Sequence, residues 1–188
     1  MKKRPSTRLS KKTILLCLSG SIALYKSCDL LRDLKEEGAD VFCLMTKSAQ
    51  RFVTPLTFQA LSGHPVYADP FAPESDWAVL HTTLADKADL ILISPASANL
   101  IARLASGMAD DIVTSVVLAS RAKVLIVPAM NDNMFKHPIT KENIAKLKLV
   151  GYRFVDPVHG NLVCGREGVG HIAESETVLA SVLSILKK

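Results

Sequence analysis

No apolar run in this sequence approaches the ~20 residues that a helix needs to span a membrane. The longest runs, such as TILLCL at Thr13–Leu18, have the length of a β-strand. The basic start, MKKRPSTRLSKK, is not followed by an apolar segment long enough for a secretory signal. We therefore expect a cytoplasmic protein without a membrane partner.

Cysteine pairs at the spacing of metal ligands are also missing. The four cysteines form no CxxC motif, and no histidine follows them at the spacing of a zinc site, so we predict no metal site. Cys17 and Cys43 lie in apolar runs and Cys28 lies in a helical pattern, which is typical of small core residues. Cys164 differs because it lies in the glycine-rich segment LVCGREGVGH.

The net charge of +5 is concentrated at one end of the chain. Residues 1–12 hold six of the 23 basic residues and no acidic one, whereas the remaining 17 basic residues are matched by 18 acidic ones. A nucleic-acid-binding protein would carry its positive surplus on the folded body. We therefore predict a disordered, solvated basic tail over residues 1–12, a single domain over residues 13–188, and no nucleic-acid partner.

Short apolar runs alternate with helical patterns, which predicts an α/β fold built on a parallel sheet. Because the runs are almost entirely apolar, the strands should be buried on both faces, with helices covering each face. The predicted strands are residues 13–18, 41–46, 90–94, 124–127 and 152–155. The predicted helices are residues 22–37, 49–61, 98–105, 110–119, 141–150 and 175–187, with Asp110 or Asp111 capping the fourth.

Polar segments follow four of the predicted strands, at the sheet edge where ligands of such folds bind. In LSGSIALYK the helix start could expose N–H groups to an anion, with hydroxyl donors from Ser19 and Ser21. The segment has no GxGxxG fingerprint, and an ordinary turn with a serine cap explains it equally well. Ser48 in TKSAQ fits a helix cap. Ser97 and Asn99 in PASAN exceed what one cap needs, which favours a phosphate-directed group.

Three further residues are candidates for chemistry. His81, in VLHTTLADKADL, is either a structural histidine or a base, and no adjacent nucleophile and acid complete a hydrolytic triad. Asn131, in VPAMNDNMF, is either a turn residue or an amide directed at a ligand. The glycines of CGREGVGH predict a flexible loop, on which Cys164 could act as a proton donor or nucleophile.

The motifs SGSIA, TKSA, PASAN, GMADD, PAMNDNMF and LVCGREGVG occur in that order, with His81 between the second and the third. Together they resemble those of the homo-oligomeric flavin-containing cysteine decarboxylases, from about residue 13 to residue 186. The resemblance implies a flavodoxin-like or Rossmann-like subunit that binds FMN and assembles as a homotrimer or homododecamer, with its active site at a subunit interface. It also implies decarboxylation of 4'-phosphopantothenoylcysteine to 4'-phosphopantetheine in coenzyme A biosynthesis.

The resemblance assigns roles to individual residues. It implies that His81 is the active-site base, that the Asn131 amide binds the departing carboxylate, and that Cys164 protonates the enethiol after thiol oxidation and loss of carbon dioxide. The cofactor-binding residues that it implies are Gly20, Ser21, Thr46, Ser48, Ser97, Ala98 and Asn99. The implied substrate-binding residues are Met130, Asn131, Met134, Gly165, Gly168 and Gly170, with the glycine-rich loop as a lid.

Two other functions remain open. A peptidyl-cysteine oxidative decarboxylase would use the same FMN chemistry, but such relatives lack the CGxxGxG loop. A non-catalytic flavin-binding regulatory subunit would not need His81, Asn131 and Cys164 together. Since the bacterial enzyme is often fused to the synthetase that makes its substrate, we expect this chain either to work beside phosphopantothenate–cysteine ligase or to be one half of a bifunctional protein.

Overall fold

The computed structural model describes residues 7–71, 80–161, 165 and 167–187. Its centre is a five-stranded sheet with the strand order β2-β1-β3-β4-β5, in which all neighbours are parallel. The order reverses between β1 and β3, which is the flavodoxin-like arrangement and confirms the predicted fold class. The strands are β1 (Thr13–Leu18), β2 (Asp40–Met45), β3 (Leu90–Ala96), β4 (Lys123–Pro128) and β5 (Arg153–Phe154).

Helices and one hairpin surround this sheet. The helices are α1 (Lys26–Glu36), α2 (Pro55–Ser62), α3 (Leu80–Lys87), α4 (Ala98–Ala105), α5 (Ile112–Ala119), α6 (Asp132–Lys136), α7 (Pro138–Leu149) and α8 (Ser175–Leu186). Short 3-10 turns at Ile22–Tyr25 and Ala49–Arg51 follow β1 and β2. The antiparallel hairpin consists of β6 (Val158–Asn161) and β7 (Glu167–His171).

The apolar side chains of each central strand alternate between two cores. Ile14, Leu16 and Leu18 of β1 pack with buried residues of α1, α2 and α8. Leu15 and Cys17 of the same strand pack with buried residues of α4, α5 and α7. The strands are therefore buried on both faces, as their unbroken apolar character predicts.

Two of the predicted helices are interrupted. The helix expected over residues 49–61 is a 3-10 turn followed by α2, which begins at Pro55 because proline lacks an N–H and suits the first helical turn. The helix expected over residues 22–37 likewise opens with a 3-10 turn. The predicted acidic cap of α5 is confirmed, since the Asp111 side chain accepts a hydrogen bond from the Thr114 amide at 2.9 Å.

The prediction of a solvated tail through residue 12 is wrong for residues 7–12. Leu9 is 1% exposed and belongs to the core on the α1 side of the sheet. Arg8 pairs with Glu37, and the Lys12 ammonium lies 2.9 Å from the Asp89 carboxylate. Because of these contacts, Arg8, Leu9 and Lys12 pack against the folded domain near the start of β1 and are not part of a solvated tail.

The described residues contain neither a candidate membrane-spanning helix nor a cluster of possible metal ligands. None of the helices there combines the length and the apolar character that crossing a membrane requires. In the same residues, no three His, Cys, Asp or Glu side chains lie close enough together to hold a metal ion.

Candidate functional site

A buried serine joins the loops that follow β1 and β3. The Ser19 side chain is 1% exposed, and its hydroxyl donates to the Pro95 carbonyl oxygen at 2.8 Å. The Ser19 hydroxyl oxygen in turn accepts a hydrogen bond from the Ser97 amide at 2.8 Å. The prediction that Ser19 is a hydroxyl donor for an anion is wrong, because its single proton is already used inside the protein.

The neighbouring residues tie the β1 loop to β2 and β4. The Ser21 hydroxyl donates to the Ala129 carbonyl oxygen at 3.2 Å and accepts from the Ala23 amide at 3.4 Å. A Cβ added to Gly20 would lie 2.6 Å from the Ser48 hydroxyl oxygen, so only glycine allows these two loops to touch. The predicted cofactor residues Gly20, Ser21 and Ser48 therefore lie together at the carboxyl edge of the sheet.

The loop after β2 presents a pair of hydroxyl groups. Thr46 Oγ1 lies 3.1 Å from Ser48 Oγ and accepts a hydrogen bond from the Ala49 amide at 3.2 Å. Ser48 makes no side-chain cap hydrogen bond, so the predicted capping role belongs to Thr46 instead. Thr46 Oγ1 can donate its proton to Ser48 Oγ, and in that arrangement the Ser48 hydroxyl serves as a donor beside Gly20.

The start of α4 supplies the third part of this edge. Ser97 is the N-cap of α4, and its side chain accepts from the Leu100 amide at 3.3 Å. Ala98 is half-buried and Asn99 is exposed in the first turn. A helix N-terminus of this kind favours a negatively charged group through its free N–H groups and its dipole.

Asn131 stands directly after β4 and begins α6. Its side-chain oxygen accepts the Asn133 amide at 2.9 Å, which is an N-cap interaction. The carbonyl oxygen of the amide is thereby fixed, and this fixes the direction of the NH2 group as well. The preceding Met130 is half-buried, whereas Met134 is 48% exposed.

The hairpin β6–β7 packs against this asparagine through two glycines. A Cβ on Gly170 would lie 2.2 Å from the Met130 carbonyl oxygen, and a Cβ on Gly168 would lie 2.8 Å from the Cβ of Asp132. The Met130 amide also donates to the Gly170 carbonyl oxygen at 3.2 Å. The prediction of a loop is wrong for Gly168 and Gly170, which lie in β7, and their role is close approach to the β4–α6 turn.

Two buried polar atoms close to this edge lack a hydrogen-bond partner among the residues that the structure describes. They are Ser94 Oγ, in β3, and Asp132 Oδ1, in the first turn of α6. The other carboxylate oxygen of Asp132 lies 3.3 Å from the Lys136 ammonium. Sequence analysis did not single out Asp132, because an acidic residue in the first turn of a helix is an ordinary feature.

A charged cluster joins the starts of α1 and α8 to the end of β7. The Lys26 ammonium is 2.9 Å from Nε2 of His171 and 3.3 Å from the Glu174 carboxylate. Next to it, a cavity of about 160 Å³ lies between α1 and the start of α8. None of the predicted cofactor or substrate residues lines that cavity, and we place the candidate site at the carboxyl edge, where those residues converge.

His81, Gly165 and Cys164 are the predicted site residues that lie apart from these contacts or outside the described residues. His81 lies in the first turn of α3, is half-buried, and makes no hydrogen bond to Asn131 in the described part of the chain. Gly165 is exposed with φ of +77°, a conformation that favours glycine. Cys164 lies outside the described residues, so its predicted role rests on the sequence.

Comparisons with known proteins agree with this arrangement. The model of the Flavoprotein family matches residues 2–187. The chain is 48% identical over 171 residues to the coenzyme A biosynthesis bifunctional protein CoaBC of Bacillus subtilis, covering 91% of this chain and 42% of that protein. It is 46% identical over 173 residues to a probable phosphopantothenoylcysteine decarboxylase of Streptococcus mutans, covering 91% of this chain and 97% of that protein.

Two solved structures share the fold over almost the whole chain. A C175S mutant of PPC decarboxylase, complexed with pantothenoylaminoethenethiol, superposes with a TM-score of 0.82 at 28% identity, covering 91% of this chain and 96% of that one. The FMN-dependent cysteine decarboxylase SpaF superposes with a TM-score of 0.82 at 26% identity, covering 94% and 97%. The chain spans less than half the length of the bifunctional relatives that it matches.

Proposed function

Because this chain belongs to the Flavoprotein family, we propose that it is an FMN-dependent decarboxylase acting on 4'-phosphopantothenoylcysteine and forming 4'-phosphopantetheine. The observation that carries the proposal is the position of Asn131 at the end of β4, with its amide fixed by capping and braced by Gly170 of the hairpin. The 46% identity to a probable decarboxylase of nearly equal length supports the same substrate.

The carboxyl edge fits a flavin phosphate. The strand order reverses between β1 and β3, where flavodoxin-like folds bind FMN. The Ser48 hydroxyl and the start of α4 supply donors of the kind that a phosphate dianion requires. We infer that Gly20, Ser21, Thr46, Ser48, Ser97, Ala98 and Asn99 hold the cofactor. The bound flavin would oxidise the cysteinyl thiol and later return the electrons to the enethiol.

Asn131 is proposed to bind the carboxylate that is lost. A neutral amide can donate a hydrogen bond to that group, whereas a Lys or Arg would stabilise the charged ground state and oppose decarboxylation. The hydrogen bond from the Asn133 amide engages the side-chain oxygen of Asn131, so the proposed contact with the carboxylate is one made by its NH2 group. Half-buried Met130 and exposed Met134 are proposed as the apolar wall beside it.

His81 and Cys164 are proposed to move protons. The imidazole of His81, in the first turn of α3, can accept or donate a proton and so is the proposed base. We propose that Cys164 donates the proton that completes reduction of the enethiol, and that Gly165 helps the chain around it to close over the substrate. The resemblance of the motifs implies an active site at a subunit interface, and we therefore propose a trimer or dodecamer in which neighbouring copies contribute residues to one site.

A second candidate is oxidative decarboxylation of a C-terminal peptidyl cysteine. The likeness to SpaF, with a TM-score equal to that of PPC decarboxylase, favours a shared FMN-dependent decarboxylation of a cysteine. The higher sequence identity to the coenzyme A proteins favours the small-molecule substrate. We further propose a cytoplasmic location and a working partnership with phosphopantothenate–cysteine ligase, since the bifunctional relatives are more than twice as long as the stretch matched here.

The test is turnover of 4'-phosphopantothenoylcysteine by the FMN-loaded protein, followed as carbon dioxide release and 4'-phosphopantetheine formation. Asn131→Asp keeps the oxygen that caps α6 but replaces the NH2 donor by a negative charge, so it should fold normally and lose at least about 100-fold in kcat/KM. Asn133→Ala, an exposed change two residues away, is the control and should retain activity. Cys164→Ser should accumulate the enethiol. Turnover of a peptidyl cysteine alone would favour the second candidate.

A further inference from the structure

We propose that Ser19 is a positioning residue for the flavin phosphate: without touching the cofactor, its buried hydroxyl fixes the backbone of the turn at residues 95–99. The inference rests on the proposed function, because it assumes that this edge of the sheet binds FMN. It assigns to Ser19 a role different from that of a hydroxyl that donates to the phosphate itself.

The geometry of the hydroxyl carries the proposal. Ser19 is 1% exposed, donates to the Pro95 carbonyl oxygen at 2.8 Å, and accepts the Ser97 amide at 2.8 Å. These partners lie 76 and 78 residues away in the chain, on the other side of the switch point between β1 and β3. Both distances are those of well-formed hydrogen bonds, and the single proton of Ser19 has no capacity left for a ligand.

The two bonds determine where α4 begins. Ser97 is the N-cap of α4, and its own side chain accepts the Leu100 amide at 3.3 Å. The Ser19 hydroxyl therefore fixes Ser97 by accepting its main-chain amide, and the N–H groups of the first turn of α4 follow directly from Ser97. A helix start that is already fixed loses less conformational freedom when an anion binds, which raises affinity without a new contact.

The chain contains a matched control for this effect. Ser27 is also 1% exposed, and its hydroxyl donates to the Ser94 carbonyl oxygen at 2.8 Å. Removing it deletes a buried serine hydroxyl of the same kind, bonded to the peptide group that precedes Pro95. Among the residues that the structure describes, Ser27 makes no hydrogen bond to Ser97 or to the first turn of α4, so its loss should affect stability without moving the phosphate site.

The experiment compares Ser19→Ala with Ser27→Ala in the FMN-loaded protein. FMN dissociation is followed by recovery of flavin fluorescence on dilution, and folding is followed by far-UV circular dichroism and thermal unfolding at saturating FMN. We expect Ser19→Ala to raise the Kd for FMN by at least about tenfold, roughly the effect of losing one hydrogen bond, and Ser27→Ala by less than about twofold. Both variants should lower the unfolding temperature, and Ser19→Ala should lower it more, because its weaker FMN binding also removes part of the stabilisation that the bound ligand gives.

Equal effects of the two substitutions on FMN affinity would overturn the inference, because they would reduce Ser19 to a general contribution to stability. Ser19→Cys provides a second variant if the alanine protein does not fold, since it keeps the volume but substitutes a weak donor. It should also release FMN faster than Ser27→Ala, and the same rate would contradict the proposal. A wild-type protein that fails to bind FMN would instead refute the proposed function.

Discussion

Replacing Gly170 by alanine should disable the site through Asn131, although Gly170 carries no side chain of its own. The added Cβ would lie 2.2 Å from the Met130 carbonyl oxygen, whereas carbon and oxygen atoms in contact normally lie about 3.3 Å apart. The backbone of β7 or of the turn after β4 must therefore move by about 1 Å. The hydrogen bond from the Met130 amide to the Gly170 carbonyl oxygen resists that separation, because it joins the same two residues.

The expected cost has two parts. Overpacking of this kind destabilises a domain by about 1–3 kcal/mol, which for a chain of 188 residues corresponds to a decrease of roughly 2–12 °C in unfolding temperature. A displacement of about 1 Å in a substrate-binding group can lower the rate by about 100-fold. Since Asn131 directly follows Met130, we expect kcat/KM to fall by about that factor while the protein remains folded.

Gly160→Ala is the matched control. Gly160 pairs with Gly168 in the same hairpin, and the nearest described atoms to a Cβ there belong to the His171 side chain, at 3.6 Å, which is an ordinary contact. Kinetic assays and thermal unfolding of the two variants side by side would decide the matter. If Gly170→Ala kept the kcat/KM of Gly160→Ala, the argument that the hairpin positions Asn131 would be refuted.

Three further predictions concern the scaffold. Burial raises the pKa of Cys17 and raises that of Cys43 to about 12, so iodoacetamide should label both only after unfolding; labelling of the folded protein, detected by mass spectrometry, would contradict this. Partial burial raises the pKa of Asp89, but hydrogen bonds from Lys12 and a backbone amide outweigh it and leave the pKa below its usual value. The carboxylate therefore stabilises the fold above about pH 4 and loses this effect as the pH falls through its lowered pKa, so Asp89→Asn should flatten the acid limb of urea unfolding measured from pH 6 to 3. Asp111→Ala removes the capping box of α5 and should cost about 1 kcal/mol in the same assay, with no change expected in FMN affinity.

The sequence predicted the central strands well because each is an apolar run of limited length. Thr13–Leu18 agrees at both ends, and the parallel order follows from the alternation with helices. The break before α2 could have been read from Pro55, since a proline inside a helical pattern usually marks a new start. The packing of Leu9 could not, because one apolar residue among basic ones gives no periodic signal.

The candidate site was predictable in its residues but not in their connections. Asn131 and the serines after each strand stand out by type and position, and the topology brings the loops to one edge. That Ser19 bonds to Pro95 and Ser97 depends on side-chain directions across a distance of more than 70 residues, which no local pattern reports. The glycines of the last motif were read as flexibility, whereas two of them permit close packing of β7.

The close packing of Gly168 and Gly170 links two parts of the proposed site. The chain between β6 and β7 contains Cys164, and β7 presses Gly168 and Gly170 against the turn that carries Asn131. The turn that carries the proposed carboxylate-binding amide thus contacts the same hairpin whose connecting segment contains the proposed proton donor, although the two groups serve different steps of the reaction. A change at the glycine contact should therefore lower both decarboxylation and the final reduction, whereas Cys164→Ser should lower only the second. Measuring carbon dioxide and 4'-phosphopantetheine separately for Gly170→Ala would distinguish this coupling from an effect on Asn131 alone, which would reduce both products in equal proportion.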